Sequence, residues 1–238
     1  MSDTCANRLE VTGSAELITH FRQANAGRLS KVDGSVVDIP LSFDALVPMP
    51  PVLSNPPVGW ERPDSHLMDP YMDLLDADAP LAAAAERIAA ARARLAAGGD
   101  VDPVERQVLE REAACGVAHW YPWRLLHWGV KSDLDDATGL SAREPDRLVY
   151  TFDTPWAPPE AWLAAVAARY PDLRFVLAYA ETSDAFGGFR VLEGGKVVAT
   201  HYVEPEVPED EDEAETDWDE ERPPLFDAVS DAAPWTRR

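Results

Sequence analysis

Only two cysteines, Cys5 and Cys115, occur in the 238 residues. That excludes a disulfide scaffold, and their spacing fits no metal motif, so both are expected as separate reduced thiols. Positive charge is scarce as well: 21 Lys and Arg stand against 43 Asp and Glu, a net charge of -22. A field of that sign repels phosphate, so no direct nucleic-acid binding is expected. No stretch approaches the roughly 18 uninterrupted apolar residues that a membrane span needs. The Ala-rich run 81–97 is broken by Glu86, Arg87, Arg92 and Arg94. The start, Met-Ser-Asp-Thr-Cys, has neither a basic region nor an apolar run, so no signal peptide is expected. The expectation is a cytoplasmic protein without membrane contact.

Catalytic signatures are missing too. His119 and His127 stand eight apart, and neither HExxH nor a paired Cys motif accompanies them, so no metal and no cofactor is expected. Cys115, Ser132 and Ser141 sit in no nucleophile elbow, and no catalytic residue is assigned. Glu181 and Asp184 flank a strand end as an acidic pair, read more simply as part of a solvated loop. Gly187-Gly188 and Gly194-Gly195 are read as turn glycines, not as a phosphate loop.

What is present is an ordered alternation of patterns. Residues 7–12 alternate around Leu9 and Val11, predicting a half-buried strand. Ser14 then caps a helix carrying Leu17, Ile18 and Phe21. Asp33-Gly34 is a turn signal between short strands. Seven prolines between Pro48 and Pro70 predict a long surface loop over 48–78, pinned by Trp60, Leu67, Met68, Tyr71, Met72 and Leu74; a loop of that length can also hide a short helix. Leu81, Ile88 and Leu95 predict a helix with a narrow apolar seam. Asp102-Pro103-Val104-Glu105 starts its antiparallel partner, which carries Val104, Val108, Leu109 and Cys115. Strands are predicted over 147–153 and 173–181, with a helix between them that carries Trp162, Leu163, Val166 and Tyr170. A hairpin, 187–192 with 196–203, follows. The order β–α, insertion, β–α–β–β predicts a ferredoxin-like α+β sandwich: an antiparallel sheet with helices on one face. Its expected domain is 1–203, with 48–131 as a loop and helical-hairpin insertion. Residues 204–238, with fourteen acids and three bases, are expected as a disordered acidic tail.

Several segments together carry a resemblance. Cys5-Ala6-Asn7 leads into a strand and Gly13, and Phe43-Asp44-Ala45-Leu46-Val47-Pro48-Met49-Pro50 forms a central loop. Trp120-Tyr121-Pro122-Trp123 precedes His127-Trp128-Gly129-Val130-Lys131. Thr154-Pro155-Trp156-Ala157-Pro158-Pro159, Tyr179-Ala180-Glu181 and Phe186-Gly187-Gly188 complete the set. The chain resembles the YubB-type ferredoxin-like family of plasmids, phages and genomic islands. It departs from that pattern at Ala157, where serine is usual, and at Ser132, where an aromatic is common. The resemblance implies the fold and supplies no established activity.

Two readings of the Trp-rich stretch stand side by side. Trp120, Trp123, Trp128 and Lys131, with Glu181, could line a small-ligand or enzymatic pocket. The same rings could plug a core, with Lys131 paired to a carboxylate such as Glu181. The acidic tail also has two readings, a solubilising end or a docking segment anchored by Trp218, Leu225 and Phe226. The sequence as a whole is read as a non-enzymatic interaction protein of a mobile genetic element. Its expected partner is a protein with a basic surface, and charge mimicry of nucleic acid, including inhibition of host defence, is its expected mode.

Overall fold

The computed structural model describes residues 4–31, 33–57, 65–181, 186–203, 229 and 231–235, with the backbone alone at 65–67 and 203. The chain divides into two units, one of Met1–Leu46 with Ser132–Arg238 and one of Val47–Lys131. Its elements in order are β1 (Thr4–Thr12), α1 (Ala15–Asn25), β2 (Gly27–Ser30), β3 (Val36–Ile39) and α2 (Phe43–Leu46). Then come α3 (Ser65–Leu75), α4 (Pro80–Ala96), α5 (Pro103–Cys115) and α6 (Trp120–Trp128). The chain continues as β4 (Gly139–Glu144), β5 (Arg147–Pro155), α7 (Glu160–Arg169), β6 (Arg174–Glu181), β7 (Phe186–Glu193) and β8 (Lys196–Val203).

The first unit holds a six-stranded sheet in the order β4-β5-β1-β6-β7-β8, with every neighbouring pair antiparallel. Because β1 and β4 both run against β5, they are parallel to each other with β5 between them. In the same way β5 and β6 are parallel with β1 between them. Two split β–α–β units, β1–α1–β4 and β5–α7–β6, therefore interlock, which is the ferredoxin-like arrangement. The β7–β8 hairpin extends it at one edge. Strand β4 went unpredicted, yet it completes the first split unit.

The helices cover one face. Phe21 of α1 packs edge-on against Phe175 at 5.7 Å and Tyr170 at 5.3 Å. Phe43 of α2 meets Trp162 of α7 at 5.0 Å and Phe152 of β5 at 6.0 Å. Ser14 caps α1 as expected, accepting from the Leu17 amide at 3.4 Å.

The other face is covered as well, and here the structure corrects the tail. Residues 229 and 231–235 form a helical turn, closed by the Ala233 amide donating to Val229 O at 3.0 Å. Val229 and Ala233 are buried against Val176, Ala178 and Val191, with Phe189 and Trp235 alongside. Arg8 lies over the Trp235 ring at 4.5 Å, and Arg174 donates to Pro234 O at 2.8 Å. Within the expected disordered acidic tail 204–238, residues 229 and 231–235 are thus docked on the sheet. The physical reason is that β6 is buried on both faces and needs a second cover. Residues 204–228, including Trp218, Leu225 and Phe226, lie outside the described residues.

In the second unit, α3 occupies part of the stretch read as loop. Met68, Tyr71 and Leu74 recur along its buried stripe, which offsets the helix bond lost at Pro70. Met72 is exposed rather than pinning, and Trp60 and the Leu67 side chain lie outside the described residues. Helices α4 and α5 form the predicted hairpin, with Asp102 accepting from the Val104 and Glu105 amides. The seam on α4 differs from expectation: Leu81 is 61% exposed, and Ala84 and Ala91 are the buried positions. Small residues win because Gly116 approaches so closely that a Cβ there would sit 3.0 Å from Ala84 Cβ.

Candidate functional site

Four of the segments that carry the family resemblance meet at one end of the sheet. In register, Cys5 stands opposite Thr154 on β5 and Glu181 on β6. Glu181 stands opposite Phe186, and Tyr179 opposite Gly188. Period-two alternation puts these side chains on the helix-covered face, in line with Leu9 and Val11.

The cluster is polar and nearly sealed. Asn7 is 2% exposed, Thr154 2% and Glu181 1%. Asn7 Nδ2 donates to Cys5 O and to Thr154 Oγ1, both at 2.8 Å. The Thr154 hydroxyl donates in turn to Ala157 O at 2.7 Å. That bond holds a tight turn in which the Ala157 amide reaches back to Pro155 O at 2.9 Å. Trp156 at its apex has φ +67°, a strained γ-turn conformation for a bulky residue, and is 43% exposed. Asn7 Oδ1 is buried and has no hydrogen-bond partner among the described residues. Asn7, Thr154 and Cys5 were not singled out from sequence as site residues; the signal was their place inside the resemblance-bearing segments.

A second layer surrounds them. Glu160, in the first turn of α7, lies 2.6 Å from Arg190 Nε. Arg190 also reaches the Tyr179 hydroxyl, whose pKa is raised by burial first and by Glu160 next. Gly188 is not a turn residue but lies inside β7, as does Gly187. A Cβ at Gly188 would come within 2.2 Å of His201 O and 3.0 Å of Tyr179 Oη, so glycine is what lets strand and phenol approach. Gly194 and Gly195 do form the β7–β8 turn, at φ +59° and +75°.

The electrostatics favour acceptors over nucleophiles. Burial pushes the Cys5 thiol up to about 12, and the carboxylates of Glu181, Asp153 and Glu160 add to the shift. Cys5 is therefore protonated at neutral pH and is no thiolate. Burial also raises Glu160, against the pull of Arg190. The arrangement can accept hydrogen bonds from a cation or a donor, and its Cys5 thiol is not activated as a nucleophile. Asp184, the proposed mate of Glu181, lies outside the described residues.

The Trp-rich stretch is α6 in the other unit. Trp123 and Trp128 are buried and meet edge-on at 5.8 Å, and Trp120 is half-buried. Trp128 Nε1 donates to Val47 O at 2.9 Å. The Arg124 guanidinium lies 5.0 Å from both the Trp120 and the Trp128 rings and donates to Lys131 O at 3.1 Å. His119, fully buried, caps the helix by accepting from the Tyr121 amide. His127 stacks on Trp123 at 4.3 Å, and burial lowers its pKa. Two cavities described in this unit, about 410 and 260 Å³, are lined by residues of α3, α4 and α5 rather than by tryptophans. Lys131 is half-buried at the end of this unit, whereas Glu181 belongs to the sheet. Among the described residues no group of His, Cys, Asp and Glu is arranged to hold a metal ion, and no helix is long and apolar enough to cross a membrane.

Residues 128–221 match the family described as "Ferredoxin-like domain in Api92-like protein". The chain is 32% identical over 100 residues to the uncharacterised protein YubB of Escherichia coli (strain K12), covering 41% of this chain and 69% of YubB. The crystal structure of protein api92 from Yersinia pseudotuberculosis aligns with a TM-score of 0.44 at 14% identity, over 86% of this chain and 99% of that one. With its split β–α–β sheet and this match to YubB, the chain belongs to the YubB/Api92-type family of ferredoxin-like proteins.

Proposed function

We propose that this chain is a non-enzymatic interaction protein of a mobile genetic element that docks on a basic, nucleic-acid-binding protein. A nuclease of a host defence system is the class of partner meant. One observation carries the reading. Residues 204–228 hold thirteen acids and a single base, and this run is fastened at both ends, by β8 and by the docked turn at 229–235. Tethering both ends lowers the conformational entropy lost when such a segment engages a partner. A dense negative charge mimics a phosphate backbone to a basic groove. The genetic setting implied by the family resemblance supports the mobile-element part of the reading, and the buried, protonated Cys5 supports the non-enzymatic part.

The test uses full-length protein in which the acids of 204–228 are replaced by their amides, leaving 229–235 intact. Truncation at 204 is the wrong control, because it also uncovers Val176, Ala178 and Val191. Binding to a panel of purified basic nucleases is measured by calorimetry at about 50 and about 300 mM salt. The expected result is a loss of roughly tenfold or more both at the higher salt and in the amide variant, with nucleic acid competing. Affinity indifferent to salt and to the amide changes would sink the mimicry.

A further inference from the structure

The chain has few bases, and seven of the seventeen described ones, Lys31, Arg28, Arg87, Arg94, Arg147, Arg174 and Arg190, pair with carboxylates. Arg22 and Arg143 do not. Both line one cavity of about 220 Å³ between α1 and the edge strand β4. Its remaining lining is Ile18, Thr19, Glu144, Pro145 and Leu148. Glu144 is held toward Arg147, 3.8 Å from its Nη1.

We propose that this cavity is a binding site for a phosphate monoester group, with Arg22 and Arg143 as its two clamps. The argument starts from placement. Arg22 follows Ile18 and Thr19 by four and three residues on α1, so all three share one helix face. Arg143 stands opposite Leu148 in the β4–β5 register, which puts it on the same helix-covered side of the sheet. The floor made by Ile18 and Leu148 is apolar and buried, with Arg22 half-buried beside it and Arg143 exposed at the mouth. Two guanidiniums match a dianion better than a single carboxylate, and a phosphate monoester carries about -1.5 to -2 at neutral pH. Their planar forks also suit phosphate oxygens. The volume lies below the usual range for whole small-molecule ligands, about 300–1,000 Å³, which suits a phosphoryl group with a small substituent.

A second observation lies beside the first. Tyr150 is fully buried, its hydroxyl pKa pushed up to about 12 by burial, and Arg22 and Arg143 both act on it electrostatically. Asn25 lies against that hydroxyl, and among the described residues neither side chain completes a hydrogen bond. The phenol stays protonated, and the charges of Arg22 and Arg143 act on it against that burial.

Inorganic phosphate is the probe, titrated at constant ionic strength into full-length ¹⁵N-labelled protein while the arginine Nε–Hε signals are followed. The Arg22 and Arg143 signals are expected to shift saturably, while Arg28, exposed and paired with Asp38, does not. Arg22→Gln and Arg143→Gln are each expected to weaken the apparent Kd about tenfold, as loss of one charge-assisted contact would. Acetate should bind at least about tenfold more weakly. Non-saturating shifts, equal shifts at Arg28, or equal affinity for acetate would overturn the proposal. The variant with amides over 204–228 should keep the phosphate response, so this site and the docking function fail or stand separately.

Discussion

Glu10 has no exposed side-chain surface, yet it is a carboxylate on the sheet face away from the helices. Arg147 lies 2.6 Å away and Arg174 4.0 Å away, and each arginine has a further acidic neighbour. Removing the central charge leaves two partly buried guanidiniums short of a counter-ion. Glu10→Ala is therefore expected to cost about 3 kcal/mol, measured by urea denaturation. A loss well under 1 kcal/mol would mean that water serves the arginines as well. Cys5 gives a second prediction at this scale. With its thiol pushed up to about 12 by burial, the thiolate is absent from pH 7 to 9, and a colorimetric disulfide reagent should react with it only on unfolding. Rapid labelling of native Cys5 at pH 8 would contradict the sealed cluster. Sequence made Glu181 visible because acids at strand ends draw notice. It hid Asn7 and Thr154, whose meaning comes from a cross-strand hydrogen bond 147 residues apart in the chain.

Elements with strong periodicity were legible, and those shaped by tertiary context were not. Strands β1, β5, β6, β7 and β8 and helices α1, α4, α5 and α7 follow their patterns to within a few residues. Strand β4 did not announce itself, because an edge strand with a register shift between Leu140 and Ala142 buries few side chains. Helix α3 was masked by Pro70 within it and by the prolines that precede it. The docked turn at 229–235 is too short for a helical period to emerge. The telling sign was elsewhere: Phe175-Val176-Leu177-Ala178-Tyr179-Ala180 is a continuous apolar run, which marks a strand covered on both faces. Removing residues 229–238 should expose Val176, Ala178 and Val191, lower Tm and raise binding of an apolar dye. Trp235→Ala should do the same more weakly, since it removes a half-buried ring and its Arg8 contact but leaves Val229 and Ala233 in place. An unchanged Tm on full removal would show the turn to be dispensable to the sheet.

For the whole molecule, charge is the dominant long-range property. Of the net -22, residues 204–228 contribute thirteen acids against one base, a net of -12, so the rest of the chain carries -10. Like charge on a compact body opposes folding, and salt relieves it over the Debye length, about 10 Å at 0.1 M. Sodium chloride rising from about 0.02 to 0.3 M should therefore stabilise the free protein. A gain of about 1 kcal/mol would lift Tm by about 2–4 °C for a chain of this size. The same titration should weaken a complex with a basic partner, because there the field is attractive. Salt thus acts with opposite sign on the two equilibria. The variant with amides over 204–228 should show a smaller rise in Tm and a smaller loss of binding together, because both effects draw on the same charges. If only the binding responds to those substitutions, the acidic run is electrostatically insulated from the fold. If only Tm responds, the run repels its own domain and attracts nothing, and the docking function falls with it.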